Sequence, residues 1–149
     1  MDNFDILKLD NQLCFSAYAF SRAIIKAYRP FLDELNITYP QYLVMLVLWE
    51  HEKITLKDMG HKLHLDSGTL TPLLKKLEAA GLIIRERSKE DERLLWITIT
   101  PKGMNLREKA LSIPENIIKA TNANLQELYD LKIRLDKIFK NLDLDNTCQ

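Results

Sequence analysis

Glycine, proline and cysteine are all scarce in this 149-residue chain, which has four, five and two of them respectively. Two cysteines in a chain of this length do not make a disulfide scaffold, and their spacing from the three histidines does not fit a zinc site. Few helix breakers among many leucines, isoleucines, lysines and glutamates predict a mainly helical fold. The length suits one domain with a real core and is short for two.

An excess of charge of one sign is also missing, because 21 basic residues balance 21 acidic ones. DNA-binding domains are often basic overall, so this balance counts mildly against nucleic acid unless the cations are concentrated in one place. The acidic N-terminus lacks the apolar region of a secretion signal, and no apolar run has membrane-spanning length. We therefore expect a cytoplasmic protein with no membrane partner, no cofactor and no metal.

Apolar residues at helical spacing predict two helices in the first third of the chain. The first runs over 10–35, with Asp10 as its N-cap and a kink or break at Pro30. The second is apolar nearly all round, so we expect it to be buried, and it extends from Pro40 to about Glu52.

The middle of the chain has the pattern of a helix-turn-helix followed by a two-stranded hairpin, or wing. A short helix is predicted over 56–63, and a longer one over 67–80 ends at Gly81, a residue suited to helix termination. Two strands, 82–87 and 94–100, are joined by a polar, charged turn. The predicted fold class is mainly α with a small β-hairpin wing.

Helices at both ends carry more apolar surface than so small a domain needs. We expect residues 10–39 and 101–142 to form a dimerisation layer around a winged helix-turn-helix over 40–100, all within a single domain. The C-terminal helices are predicted to bend at Pro114, and 143–149 to form a flexible tail.

The fourth predicted helix presents small hydroxyl side chains at its N-terminal end and two lysines beyond them. Such hydroxyls can contact base edges in a major groove, while lysines contact phosphates. The hairpin concentrates cations suited to the minor groove and backbone, and Asp91 is placed to orient Arg93 through a charge-assisted hydrogen bond. A capped surface helix and a solvated mixed-charge turn are the alternatives, and Pro72 predicts a late start or a bend. The predicted DNA-binding residues are Ser67, Gly68, Thr69, Thr71, Pro72, Lys75, Lys76, Arg85, Arg87, Lys89, Asp91 and Arg93.

Several of these segments together resemble the MarR family of winged-helix regulators. They read DSGTLTPLLK at 66–75, RERS at 85–88 and DER at 91–93. Two more, LDNQLCF at 9–15 and LNITYPQYL at 35–43, narrow the resemblance to the organic hydroperoxide resistance repressors. The likeness covers nearly the whole chain to about its 140th residue.

This resemblance implies a two-fold dimer formed by the terminal helices. It also implies repression of a peroxidase gene through binding to a pseudo-palindromic, double-stranded operator. The recognition helix would then begin near Ser67, despite Pro72.

Cys14 falls in the first turn of a predicted helix, where the positive end of the helix dipole stabilises a thiolate. Thiolate is the form that attacks a peroxide and gives sulfenic acid, although a small core residue is the alternative from sequence alone. Tyr18 can lie beside Cys14, whereas Tyr28 lies roughly 21 Å farther along a straight helix. The resemblance implies that Cys14 hydrogen-bonds to Tyr28 and Tyr39 of the partner subunit.

Oxidation by an organic hydroperoxide would break those bonds and move the recognition helices out of register with the major grooves. We favour sensing by one cysteine, in which a small cellular thiol caps oxidised Cys14 as a mixed disulfide, because no cysteine occupies 116–130. Cys148 lies in the predicted tail, where it either reaches Cys14 or has no part in signalling.

Other functions stay open at this point. A MarR-type repressor can respond to a small aromatic ligand, and a thiol-dependent regulator can serve broader oxidative-stress or virulence genes. A thiol peroxidase needs an activating group near its cysteine, for which Arg22 and Arg29 are the available candidates. We predict a regulator and not an enzyme.

Overall fold

The computed structural model describes residues 4–142, so the predicted tail and Cys148 lie outside the described residues. Within that range the chain forms seven α-helices and one three-stranded antiparallel sheet, which confirms the predicted fold class. The helices are α1 (Leu13–Glu34), α2 (Tyr39–His51), α3 (Leu56–Leu63), α4 (Ser67–Ala79), α5 (Pro101–Ala110), α6 (Ile113–Thr121) and α7 (Leu125–Asn141). The strands are β1 (Lys53–Thr55), β2 (Ile83–Arg87) and β3 (Leu95–Ile99).

The first helix begins later than predicted and continues through its proline. A short 3-10 turn, Leu9–Asn11, contains Asp10, and Gln12 occupies the N-cap position without a side-chain capping bond. The predicted cap at Asp10 is therefore wrong. The predicted break at Pro30 is also wrong, because α1 remains helical to Glu34. One missing backbone donor is tolerated there, since the last turns of α1 pack on the core.

The second helix is the centre of the core, as its uniformly apolar sequence predicted. Seven of its thirteen residues are buried. It starts in a capping box: Thr38 Oγ1 accepts from the Gln41 N–H, and Gln41 Oε1 accepts from the Thr38 N–H at 2.9 Å. The Trp49 Nε1–H donates to the Gly103 carbonyl at 2.9 Å, so α5 is fixed to α2 by a buried hydrogen bond.

The helix-turn-helix has the predicted elements. The bounds of α3 agree with the prediction, Thr55 caps it, and Gly81 follows α4 with a φ of +75°. The sheet has one strand more than predicted, in the order β1-β3-β2, with Ile54 opposite Ile97. Three residues are too few to show alternation, so β1 has no recognisable sequence pattern.

The C-terminal part is divided more finely than predicted. α5 ends at Ala110, and Pro114 lies in the first turn of a separate helix, α6, where its missing N–H costs nothing. The predicted bend is therefore a break between two helices. α7 starts from a capping box of Asn124 and Glu127, and its Phe139 ring lies 4.7 Å from the His64 ring in the turn between α3 and α4.

Large apolar side chains are exposed to solvent along the N-terminal half of α1 and all of α7, and α7 has no buried residue. Soluble monomers rarely leave apolar patches of this extent in contact with water. This surface supports the prediction of a dimerisation layer, which stays a prediction. Among residues 4–142, no helix has the length and apolarity needed to cross a bilayer. The exposed side chains include Leu13, Phe15, Tyr18, Phe20, Leu125, Tyr129, Leu131, Leu135 and Ile138.

Gly103 tests the packing of α5 against the rest of the domain. A Cβ at this position would lie 2.2 Å from the Leu82 carbonyl oxygen and 2.9 Å from the Ile99 side chain. We expect Gly103→Ala to lower the free energy of unfolding by about 2–3 kcal/mol, because backbone must move to relieve the overlap. Urea denaturation at fixed protein concentration measures this. Asn105→Ala on the exposed face of α5 is the control and should change stability by less than about 0.5 kcal/mol; equal effects would contradict the packing described.

Candidate DNA-binding surface and redox thiol

The fourth helix buries one face and exposes the other. Leu70, Leu74 and Leu77 are buried, and Leu73 is half-buried, which confirms the predicted inward stripe. Asp66 caps the helix, with its Oδ1 accepting from the Thr69 N–H at 2.7 Å. The predicted DNA-binding residues of α4 lie on the outer side. Ser67, Gly68, Thr69, Pro72, Lys75 and Lys76 are exposed, and Thr71 is half-buried.

The proline within α4 does not delay the helix. α4 begins at Ser67 and continues through Pro72, so the predicted late start is wrong and a start near Ser67 is confirmed. The Gly68 carbonyl loses its helical donor at Pro72, but Gly68 is exposed and its carbonyl is open to water. The Thr71 hydroxyl donates to the Ser67 carbonyl at 2.7 Å, which leaves its oxygen as an acceptor at the helix surface.

Arg93 is an open cation of the wing, with 90% of its side chain exposed. Its Nε–H and its backbone N–H both donate to Asp91 Oδ1 at 3.1 Å, which confirms the predicted charge-assisted bond. These bonds lower the pKa of Asp91 below its usual range, because they stabilise the carboxylate. Arg93 Nη2–H also donates to Asp91 Oδ2 at 3.4 Å, so the carboxylate holds the guanidinium on one side.

Arg85 is placed differently from the other predicted DNA contacts. Its Nε–H and Nη2–H both donate to Glu78 Oε2, at 3.1 and 2.8 Å, and its backbone N–H donates to Glu78 Oε1 at 2.9 Å. Only 19% of the Arg85 side chain is exposed. Hydrogen bonds from Arg85 lower the pKa of Glu78. The sequence analysis missed Glu78, although it ends the recognition helix seven residues before the arginine.

The tip of the wing is ordered by its own hydrogen bonds. Arg87 Nη1–H donates across the turn to the Glu92 carbonyl at 2.8 Å, and Ser88 Oγ accepts from the N–H groups of Glu90 and Asp91. Lys89 is exposed at this tip. A cavity of about 690 Å³ separates the wing from α3 and α4 and is lined partly by side chains predicted to contact DNA. These are Ser67, Thr71, Arg87 and Arg93.

Cys14 is the second residue of α1, and it is exposed and free of any disulfide. The core-packing alternative therefore does not describe this cysteine. Tyr18, one turn along α1, is 60% exposed, with the Arg22 guanidinium 5.6 Å from its ring centroid. Since Gln12 provides no side-chain cap, the N–H groups of the first turn are free to stabilise an anion such as a thiolate.

Tyr28 and Tyr39 lie together, with ring centroids 4.9 Å apart, and Tyr42 packs 5.7 Å from Tyr28. Burial, with smaller contributions from the other two phenols, raises the pKa of Tyr28 to about 12, and burial also raises the pKa of Tyr39. Both are therefore protonated hydrogen-bond donors at neutral pH. The sequence analysis missed Tyr42, whose spacing of three from Tyr39 was the available signal.

The continuous α1 separates the thiol from this tyrosine cluster. Cys14 and Tyr28 are fourteen residues apart on one helix, which is about 21 Å along its axis. The structure brings Tyr28 and Tyr39 together and keeps both away from Cys14 of the same chain. Among residues 4–142, no group of three side chains has the composition and closeness of a metal site.

Glu78 provides a test of the link between α4 and the wing. We expect Glu78→Gln to lower the free energy of unfolding by about 1 kcal/mol at pH 7, because a charge-assisted bond becomes a neutral one at a partly exposed site. The pKa of Glu78 is lower in the folded state than in the unfolded state, where it is near 4.5. The stability that the Glu78 charge contributes is therefore complete above the unfolded pKa and is lost as pH falls through the folded pKa. The difference from wild type should therefore shrink between pH 7 and pH 3 in urea titrations.

The control for this test is Glu86→Gln on β2. Glu86 is exposed and forms no ion pair among the described residues, so this change should alter stability little at either pH. A loss in Glu78→Gln that is equally large at pH 3 would show that the charge of Glu78 contributes nothing.

Comparison with known proteins identifies the family of this chain. The family model described as transcriptional regulator SarA/Rot matches residues 26–110. The organic hydroperoxide resistance transcriptional regulator of Bacillus subtilis is 52% identical over 98% of this chain and 100% of its own length. AbfR, a Staphylococcus epidermidis protein, has been solved in its reduced form bound to DNA. That structure is 40% identical in sequence and matches this chain with a TM-score of 0.76. The match covers 93% of this chain and 96% of the AbfR chain.

A disulfide form of AbfR is also similar, at 41% identity and a TM-score of 0.63 over 91% of this chain and 95% of its own. The identities and coverage confirm the resemblance seen in the sequence. This chain belongs to the MarR-type winged-helix transcriptional regulators, in the branch of the organic hydroperoxide resistance regulators.

Proposed function

We propose that this protein is a dimeric transcriptional repressor that releases its operator when an organic hydroperoxide oxidises Cys14. One observation carries the proposal: an exposed thiol begins a long continuous helix, and the half-buried phenols suited to bind it lie at the far end, with Tyr28 about 21 Å along the same helix and Tyr39 beside it. A second copy of the chain completes the site. The name of the Bacillus subtilis relative and the DNA-bound reduced form of AbfR support this function.

The proposed dimer pairs the exposed faces of α1 and α7 with the same faces of a second chain. Two antiparallel α1 helices place Cys14 of one subunit beside Tyr28 and Tyr39 of the other. The phenol O–H groups donate to the sulfur and help to hold the thiolate. Burial of the apolar side chains on both helices supplies most of the association energy.

In this dimer, each α4 enters a major groove and each wing follows the backbone into the neighbouring minor groove. The hydroxyls at the start of α4 read base edges, and Lys75, Lys76 and Lys89 bind phosphates. Arg93, held by Asp91, inserts into the minor groove. We assign Arg85 a positioning role, since its bonds to Glu78 fix the wing relative to the recognition helix.

The sensing reaction is a two-electron oxidation of sulfur. The Cys14 thiolate attacks an oxygen of the hydroperoxide, the O–O bond breaks, and the organic fragment leaves as an alcohol after taking a proton. The sulfur becomes a sulfenic acid. A small cellular thiol then attacks this sulfur, the S–O bond breaks, and water leaves as the mixed disulfide forms.

We propose that the mixed disulfide, and not an oxygenated sulfur, is the state that releases DNA. Overoxidised AbfR has been solved bound to DNA, so in that relative added oxygen is compatible with binding. A disulfide-linked group is bulkier, and it displaces the phenols of the partner subunit. Lost hydrogen bonds are worth about 0.5–1.5 kcal/mol each, enough to change the dimer geometry where two arrangements are nearly balanced.

Replacing the sensing thiol tests this proposal. We expect Cys14→Ser to bind the operator as tightly as wild type and to keep it in the presence of cumene hydroperoxide and cysteine, because serine cannot be oxidised. Gel shifts use a duplex selected from a random pool by the reduced protein. The matched control, Cys148→Ser, should still release DNA.

Release of DNA by the Cys14→Ser variant after treatment with hydroperoxide would contradict the assignment of Cys14 as the sensor. Steady-state consumption of hydroperoxide separates a sensor from a peroxidase. We expect each subunit to consume about one equivalent of hydroperoxide, with no continued turnover.

Arg93→Ala tests the role of the wing. We expect operator affinity to fall about tenfold, or ~1.4 kcal/mol, and the slope of log affinity against log salt to decrease by about one. The control is Lys109→Ala, which removes an exposed cation of α5 that forms no ion pair among residues 4–142. Unchanged affinity in Arg93→Ala would remove the wing from the DNA contact.

A further inference from the structure

A groove between α1 and the start of α2 lies outside the DNA-binding surface and borders the tyrosine cluster at Tyr39. Its volume of about 560 Å³ is that of a pocket for a small molecule. Most of its wall is apolar, and includes Ile25, Leu32 and Ile37. The polar part of the wall is unusual, because it is dominated by charge of one sign.

Three cations of α1 line this groove: Arg22, Lys26 and Arg29. Their spacing of four and three places them along one face of the helix. None of them forms an ion pair within the part of the chain that the structure describes. Asp33 is the one acidic residue of the lining, so the wall carries a net positive charge and suits a small organic anion.

Tyr39 connects the groove to the redox site. Its side chain lines the groove and also packs 4.9 Å from Tyr28 in the tyrosine cluster. In the dimer proposed above, Cys14 of the partner subunit lies beside these two phenols. A molecule held in the groove would therefore be adjacent to the reactive sulfur.

We propose that this groove binds the carboxylate group of the small thiol that caps oxidised Cys14. The inference rests on the proposed function. The capping step joins the sulfur of the bound thiol to the sulfenic sulfur and releases water, so no further oxidant or reductant is needed. Arg29 and Lys26 bind the carboxylate of the incoming thiol, while its sulfhydryl reaches past Tyr39.

The charge of the oxidised sulfur explains why the capping thiol needs such a site. A sulfenic acid is uncharged, so it exerts no long-range attraction on an incoming thiol. A positively charged groove raises the local concentration of anionic thiols and orients them toward the sulfur. It thereby favours capping over further oxidation of the sulfenic acid.

The test measures capping of Cys14 by two thiols that differ in charge. The full-length protein is first treated with one equivalent of tert-butyl hydroperoxide, which is neutral. It is then mixed with mercaptosuccinate, a dicarboxylate, or with thioglycerol, which is uncharged. Peptide mass spectrometry measures the initial rate of mixed-disulfide formation at Cys14, and the ratio of the two rates is compared between variants. Differences in intrinsic thiol reactivity cancel in that comparison.

We expect the ratio of mercaptosuccinate to thioglycerol rates to fall at least fivefold in Arg29→Gln, and similarly in Lys26→Gln. Both side chains are exposed, so neither change should disturb folding. The control is Lys109→Gln, which removes the same charge from α5 and should leave the ratio unchanged. Added salt should lower the wild-type ratio.

Two results overturn the inference and leave the sensor function standing. One is a ratio that is the same in Arg29→Gln, Lys26→Gln and wild type, while Cys14 is still capped. The other is an unchanged capping ratio combined with a change in oxidation. If Arg29→Gln lowers the ratio of the oxidation rates by linoleate hydroperoxide and tert-butyl hydroperoxide below the wild-type ratio, the groove is assigned to the oxidant. If Cys14 of the wild type is not modified at all, the proposed function itself fails.

Discussion

The length and continuity of α1 are the constraint on which the rest of the structure depends. The helix runs through Pro30 without interruption and keeps the thiol at its first turn about 21 Å from the phenols near its other end. In the proposed dimer, the continuous α1 therefore couples chemistry at the sulfur to the contact between two subunits.

A second coupling operates within each subunit. Glu78 at the end of the recognition helix accepts three hydrogen bonds from Arg85 at the base of the wing, so the two DNA-contacting elements are held as one unit. The buried bond from Trp49 to Gly103 in turn fixes α5 to α2. These bonds tie the elements of the winged domain together, so in the proposed dimer a change in geometry is most easily accommodated between the subunits.

Local side-chain chemistry explains which features the sequence predicted well. Thr55 begins α3 as its N-cap and Gly81 follows the end of α4, both through single-residue effects, and these predicted bounds agree with the structure. The inward stripe of α4 and the pairing of Asp91 with Arg93 also follow from short spacings. Each of these signals depends on residues that are neighbours in the chain.

The features that sequence analysis missed depend on tertiary contacts. β1 forms because β3 offers a free edge, and Pro30 is tolerated because the turns around it pack on the core. In the sequence, Arg85 cannot be distinguished from the other cations of the wing. Only the fold shows that it forms an ion pair with Glu78. The groove along α1 is likewise invisible until Ile37 and Tyr39 are brought against that helix.

The charge balance of the chain affects how firmly the regulator stays on a chromosome. With equal numbers of acidic and basic residues, the chain has no net positive charge to attract it to DNA of any sequence. In the proposed dimer, occupancy of the operator then depends on the fit of both half-sites together. If oxidation disturbs that fit, DNA of unrelated sequence binds no better, and a modest loss of contacts is enough for dissociation into solution.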